Sequence, residues 1–416
     1  MPTLSRRYRL GILASHPIQY HSPWFRHLAQ HLDIDVWYAH RPSAQDQAAA
    51  GFGVGFHWDI PLLQGYPYRW LRNVSHRPSL QTFRGCDTPE VYRLCRRSRL
   101  DAVLVFGWQH KSALQAIRAC WRQRLPVLMR GDSHLLTNRS RLKTALKYGL
   151  YRWFLPRLSG HLYVGTRNKA YLEHYGVPPQ RLFFAPHCVD NAFWTAAVKR
   201  ADHTDAPAQL RARLGIAPDG FVCLFVGNLI PHKRPEHVIQ ACTHLVQAPA
   251  GTDVYAICVG DGPLRPQLEH LAHPQGKRIF FAGFQNQSEL PAFYRAADVL
   301  ILPSKEKETW GLVVNEAAAC GTPAIVCDAA GCAPDLIDEG ATGYTYPFGD
   351  TRALAKRIVA LRSAWRRRKQ EIRRSLAAKI STYSIEHATQ GLIHALDAVQ
   401  ENPCYANREP TQPRAL

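Results

Sequence analysis

Two carboxylates, Glu308 and Glu316, stand eight residues apart with Gly311 between them. The apolar run ending at Leu302 reads as a strand, the charged stretch after it as a loop, and the segment opening near Gly311 as a helix. Gly321 supplies its stop, with Pro323 just beyond. Glu308 then lies before the helix and Glu316 inside it. They are not an acid–base couple on one helix face, but they can line the near and far ends of a single ligand. The N–H groups of Gly311, Leu312 and Val313 would point out of the helix start, which suits a phosphate. A glycine at 311 lets that ligand approach the backbone, and a carboxylate can accept hydrogen bonds from two ribose or sugar hydroxyls. The competing assignment is a glutamate favouring the helix dipole plus a solvated glutamate. A second cluster, from Gly227 and Asn228 through Pro231 to Lys233 and Arg234, follows another apolar run. There a glycine turn can set the Lys233 ammonium against a diphosphate. The competing assignment is a surface Lys-Arg pair.

The elements that must position these residues are short apolar runs alternating with longer helical stretches. The runs are 10–15, 33–38, 101–106, 126–130, 161–165 and 182–185, then 221–227, 253–260, 278–283, 298–302 and 323–328. Most are continuous in Val, Ile and Leu rather than alternating, as strands buried on both faces are, so helix-covered parallel sheets are expected. The fold class is therefore α/β, with two doubly wound domains and a cleft between them. A ligand is expected in that cleft, at the carboxyl ends of strands. The expected domains are 1–195 and 215–385, joined by a polar, Ala/Pro-rich linker at 196–214. A C-terminal helix and loose tail would occupy 386–416.

The 416 residues suffice for two full cores, and 46% hydrophobic with 20% charged residues excludes disorder as the main state. A formal charge of +20 draws anions to the surface. No run approaches the ~20 apolar residues of a membrane helix, and the N-terminal segment is read as a strand rather than a signal peptide. Eleven cysteines occur without metal-ligand spacing and are read as small buried hydrophobes in a reducing compartment. No metal or other cofactor is expected.

Several motifs in order make the chain resemble the retaining glycosyltransferases of family 4, which implies two Rossmann-like domains facing each other across a cleft, the GT-B type of fold. Glu308 to Glu316 looks like that family's E-x7-E signature, and Gly227 to Lys233 like its G-R-L-x-P-x-K loop. Gly260-Asp261-Gly262-Pro263-Leu264 is similar to its G-x-G-P-L turn, and Pro186-His187-Cys188-Val189-Asp190 to its P-N-G-V-D stretch. Ala297-Asp298-Val299 with Pro303-Ser304 matches the strand leading to the signature, and Gly331 with Asp335 a later G-x-x-E loop. The resemblance is dense over about 180–350. One position departs: Asn228 stands where the family carries Arg or Lys. An amide supplies no charge, and a charge pair at ~4 Å contributes about 4 kcal/mol at an effective dielectric of 20. Arg234, Lys305 or Lys307 would have to compensate.

The resemblance implies transfer of a sugar from a nucleotide diphosphate sugar to an acceptor hydroxyl with retention. Lys233, Asn228, Gly311, Leu312 and Val313 would hold the donor diphosphate, Glu316 the ribose, and Glu308 the donor sugar or its developing charge. In the first half, His16, Tyr20 and His134 are read from their own positions as candidate contacts to donor or acceptor, with ordinary polar loop residues as the competing reading. Asp132 is expected to touch sugar or acceptor; a structural Arg130–Asp132 pair is the competing reading. Trp108 suits either a sugar stack or the core. The expected partners are a nucleotide sugar and a glycan or lipid-linked acceptor in cell-surface polysaccharide or glycolipid synthesis, not nucleic acid. The expected location is cytoplasmic, peripheral on the inner face of the cell membrane. Arg366, Arg367, Arg368, Lys369, Arg373 and Arg374 form a basic helix suited to anionic lipid, with a solvated helix face as the competing reading. A sugar-nucleotide epimerase on the same fold, or a basic nucleic-acid-binding protein, are the rival classes.

Overall fold

The computed structural model describes residues 7–43, 55–137, 140–247, 253–305 and 307–401. They form two units. One gathers the described residues of 1–43, 61–187 and 385–416; the other gathers those of 44–60 and 188–384.

The first unit is built on β1 (Arg9–Ala14), β2 (Asp33–Tyr38), β3 (Tyr68–Trp70), β4 (Ala102–Phe106), β5 (Val127–Gly131), β6 (Gly160–Tyr163) and β7 (Leu182–Phe184). The sheet order is β3-β2-β1-β4-β5-β6-β7, and each pair is parallel. The second unit holds β8 (Phe221–Val226), β9 (Val254–Val259), β10 (Ile279–Gly283), β11 (Val299–Leu302), β12 (Ala324–Cys327) and β13 (Gly343–Tyr346). Its order is β10-β9-β8-β11-β12-β13, again parallel. The central strands are buried along nearly their whole length, as continuous Val/Ile/Leu runs require when helices cover both faces. Each such side chain contributes ~1.5–3 kcal/mol on burial.

These strand orders locate the functional loops. In each sheet the chain winds one way from the first strand and then returns to wind the other way. The loops after β1 and β4 diverge in the first unit, and those after β8 and β11 in the second. Each divergence opens a crevice at strand carboxyl ends.

Two expectations on organisation are corrected, and the expected C-terminal helix is present, in a unit the sequence left open. The stretch 196–214 is not an extended linker: it lies within helices Asn191–His203 and Ala206–Arg213 of the second unit. Its alanines are helix formers, the Asp190 carboxylate caps the first helix at Phe193 N (2.9 Å), and Pro207 sits in the first turn of the second. Arg295 holds Asp202 with two hydrogen bonds of 3.0 and 2.8 Å, fixing the pair in place. The unit boundary falls at 187/188 rather than 195. The C-terminal helix Ile385–Glu401 belongs to the first unit, where Trp24 Nε1 donates to Thr389 Oγ1 (3.2 Å) and Tyr8 Oη to Asp397 (2.7 Å). The expected loose tail beyond Glu401 lies outside the described residues.

The basic segment 366–374 lies in the long helix Thr351–Ser381, which is interrupted at Arg368 (φ −130°). Lys369 and Arg373 lie over the Trp365 ring at 5.1 and 5.6 Å. Burial lowers the pKa of both. The ten described cysteines are buried and unbridged, including Cys327 and Cys332.

Candidate active site

In the second unit the loop after β8 is fused to the loop after β9. Leu229 N–H donates to Asp261 O (2.8 Å), Leu264 N–H to Leu229 O (3.0 Å) and Gly227 N–H to Val259 O (3.0 Å). The backbones come so close that a Cβ on Gly260 would lie 2.0 Å from Gly227 O, and one on Gly262 2.7 Å from Leu229 O. Both glycines also have positive φ (+128° and +154°). Only glycine fits there. The G-x-G-P-L turn is thus the platform on which the lysine loop rests.

The loop after β11 is braced in a similar way. Gly331 N–H donates to Glu308 O (2.9 Å) and Cys332 N–H to Trp310 O (3.0 Å). A Cβ on Gly331 would lie 1.8 Å from Thr309 O. Gly311 has φ +107°, and its missing Cβ would meet Leu302 Cδ2 at 2.5 Å. Trp310 Nε1 ties the loop to the following helix through Asn315 Oδ1 (2.9 Å). Asp335 is buried and accepts from Tyr383 Oη (3.1 Å), a supporting position behind these loops.

The two loops meet. Lys233 Nζ donates to Glu308 Oε2 in an ion pair, and Lys305 N–H bonds the His232 carbonyl (2.8 Å). Burial alone would raise the Glu308 carboxyl. The Lys233 ammonium and its hydrogen bond, with a smaller contribution from His232, more than offset that and hold it below the ordinary range. Of the cations expected to compensate for Asn228, Arg234 is engaged with Glu236 (3.1 Å) and sits at φ +52°. Lys305 instead lies over the Phe348 ring at 5.6 Å, on the braced loop itself. Lys307 is exposed.

The expected helix runs over Val313–Ala319, with Leu312 at its N-cap position. Val314 N–H returns to Gly311 O (2.9 Å) and Glu316 N–H to Leu312 O (3.0 Å), so the N–H groups of Gly311, Leu312 and Val313 precede the first intrahelical bonds. Glu316 is the fourth helical residue. It is only 2% exposed, and Oε2 accepts from the buried Tyr294 hydroxyl (2.6 Å).

In the first unit the loops after β1 and β5 gather polar groups. His16 Nδ1 is 2.9 Å from Ser15 Oγ, Tyr20 is half-buried, and His134 is buried with Nδ1 accepting from Leu136 N–H (3.2 Å). Helix Ser22–His31 begins with His21 at its N-cap position, and the Ser22 hydroxyl donates to Ile18 O (3.1 Å). Arg130 is buried, donates to the carbonyls of Ala185 (2.6 Å) and Pro186 (2.9 Å), and stacks over Trp24. Asp132 Oδ2 lies 3.7 Å from His187 Nε2. Burial is the first cause lowering the His187 pKa, opposed by Asp132. His187 was not singled out from the sequence as a site residue; its place after β7, two strands from β5, is the signal. Trp108 donates to Tyr151 Oη (2.9 Å), packs edge-on against it, and is half-buried against the edge of the first unit's core.

Two parallel α/β units of this topology define the GT-B fold class of glycosyltransferases, the class to which the solved structures below belong by fold. Residues 208–376, the segment that carries Lys233, Glu308 and Glu316, match the family model of group 1 glycosyl transferases. The D-inositol 3-phosphate glycosyltransferase of Geodermatophilus obscurus is 31% identical over 254 residues, 57% of this chain and 52% of the relative. The chain spans about half the length of the curated relatives it matches. A glycosyltransferase from Rickettsia africae superposes with a TM-score of 0.73 at 13% identity, covering 95% of this chain and 99% of that one. Anabaena Alr3699/HepE, solved in complex with UDP, gives 0.67 at 17% identity, covering 94% and 100%.

Proposed function

We propose that this protein transfers a sugar from a nucleotide diphosphate sugar to an acceptor hydroxyl with retention of the anomeric configuration. The observation that carries the reading is the meeting of Lys233 and Glu308 at the switch point of the second unit. A cation and a carboxylate on two glycine-braced loops suit a ligand that is anionic at one end and polyhydroxylated at the other. The segment carrying both residues is also the one that matches the glycosyl transferase family model.

In this reading the bond between the sugar anomeric carbon and the diphosphate oxygen breaks, and a bond to the acceptor oxygen forms on the same face. The departing phosphate oxygen takes the acceptor proton, so no protein base is required. Lys233 and the amides of Gly311, Leu312 and Val313 stabilise the charge growing on the diphosphate. Lys305 makes up for the missing charge at Asn228. Glu308 supports the donor sugar, and Glu316 turns toward the ribose from its bond with Tyr294. Asp132, paired with His187, serves the acceptor or sugar together with His134 on the same loop after β5 and His16 and Tyr20 on the loop after β1. The +20 charge supports a glycan or lipid-linked acceptor handled at a membrane surface, in polysaccharide or glycolipid synthesis.

The test is a thermal-shift screen of nucleotide sugars, followed by donor hydrolysis without acceptor. A nucleotide sugar that stabilises the protein and is slowly hydrolysed to free sugar supports the reading. Interconversion of the donor sugar without release of nucleotide would assign an epimerase instead.

A further inference from the structure

Helix Arg141–Phe154 in the first unit carries its apolar stripe on the outside. Leu142, Leu146, Leu150 and Trp153 recur at helical spacing and are 72%, 68%, 58% and 43% exposed. The helix is held to the unit by other positions: Tyr151 bonds Trp108, and the Lys147 ammonium sits over Tyr151, Tyr171 and Tyr175 at 4.9, 4.8 and 5.4 Å. Leu135 and Leu136, just before it, are also exposed. Leu150 and Trp153 continue into an apolar groove of about 730 Å3 walled by Trp108, Ile117, Trp121 and Phe154, with Arg118 and Arg122 also lining it. A solvent-facing stripe of this kind is uncommon on a surface helix, whose apolar side ordinarily faces the core.

The charge pattern identifies the occupant. Residues 135–157 contain Arg139, Arg141, Lys143, Lys147, Arg152 and Arg157 and no Asp or Glu. Lys143 and Arg152 are exposed on this helix, and the Arg157 guanidinium lies over the Trp153 ring at 4.6 Å. A symmetric contact with a second copy would bring this all-cationic segment against itself, which like charges oppose. An anionic bilayer instead offers hydrocarbon for the leucines, an interfacial level for the tryptophan and counter-charge for the flanking cations.

We propose that the outer face of helix Arg141–Phe154, with the adjoining tryptophan groove, is an interfacial membrane anchor that seats the first unit on anionic lipid. This differs from the expected patch at 366–374, where Lys369 and Arg373 are engaged with Trp365 and Arg368 bonds Glu371. The inference does not rest on the glycosyl-transfer reading.

The experiment is co-sedimentation of the full chain with phosphatidylcholine vesicles, with and without roughly a third phosphatidylglycerol. Wild type should bind the anionic vesicles, bind neutral ones far less, and weaken in high salt. Leu142→Glu/Leu146→Glu changes only exposed side chains, so its thermal midpoint should match wild type. Its partition onto anionic vesicles should fall by about tenfold or more. Arg366→Gln/Arg367→Gln should bind like wild type. Equal binding by the leucine variant, or loss in the Arg366/Arg367 variant alone, would overturn the proposal. So would a wild-type dimer, seen by light scattering, that the leucine substitutions dissociate.

Discussion

Lys233 and Glu308 form an ion pair across the switch point of the second sheet, one from the loop after β8 and the other from the loop after β11. Under the proposed function a donor diphosphate would compete with Glu308 for the ammonium, and ligand entry would turn the carboxylate toward the sugar. Glu308→Gln keeps the shape and removes the charge. Its kcat for transfer should fall by ~10²-fold while KM for the donor changes much less. Steady-state kinetics with donor varied checks this split; a variant with unchanged kcat would remove Glu308 from the chemistry.

The same pair makes stability pH-dependent. Glu308 titrates below the ordinary carboxylate value of 4.5 because Lys233, aided by His232, outweighs burial. A carboxyl depressed in the fold adds stability that is full above its unfolded pKa and is lost as the pH falls through its folded pKa. Thermal midpoints should therefore drop more steeply in wild type than in Glu308→Gln as the pH falls from about 5 downward. Parallel curves would contradict the assignment.

The charge lost at Asn228 should be recoverable. Asn228→Arg is expected to tighten donor binding by roughly tenfold, ~1.4 kcal/mol, and Lys305→Ala to weaken it by a similar factor. Arg234→Ala should act weakly, since Arg234 is occupied by Glu236. Titration calorimetry with the same nucleotide sugar ranks the three.

Glycine bracing is testable by sterics. Gly331→Ala places a methyl 1.8 Å from Thr309 O and should displace the Glu308 loop, weakening donor binding and costing ~1–3 kcal/mol of stability. Gly215→Ala, at φ +65° with nothing within 4 Å, should cost about 1 kcal/mol and leave donor affinity alone. Denaturant unfolding alongside nucleotide binding separates the two effects.

The parallel strands were legible because Val/Ile/Leu runs such as those of β4 and β9 report burial on both faces. β3 and β13 were not, since Tyr68–Trp70 and Gly343–Tyr346 are short edge strands with partly exposed, polar or aromatic residues. Lys233 and Glu308 were legible as separate motifs; their ion pair is a product of strand order, which places β8 beside β11. His187 and Asp132 lie far apart in sequence and meet only through the sheet. The alanines of 196–214 were misread because a polar, proline-containing stretch looks like a linker until its caps and its contacts with Arg295 are known. The outward stripe of helix Arg141–Phe154 has the periodicity of an ordinary core helix, and sequence alone does not say which way it points.

The most direct measurement is the affinity of nucleoside diphosphates for wild type and Lys233→Ala by titration calorimetry at low salt. At least one nucleoside diphosphate should bind wild type, and Lys233→Ala should weaken it by about tenfold or more at a temperature where both proteins are folded, its thermal midpoint without nucleotide being lowered because the buried Glu308 loses its partner. Equal affinity in both proteins would contradict the assignment of Lys233 and its loop as the diphosphate site.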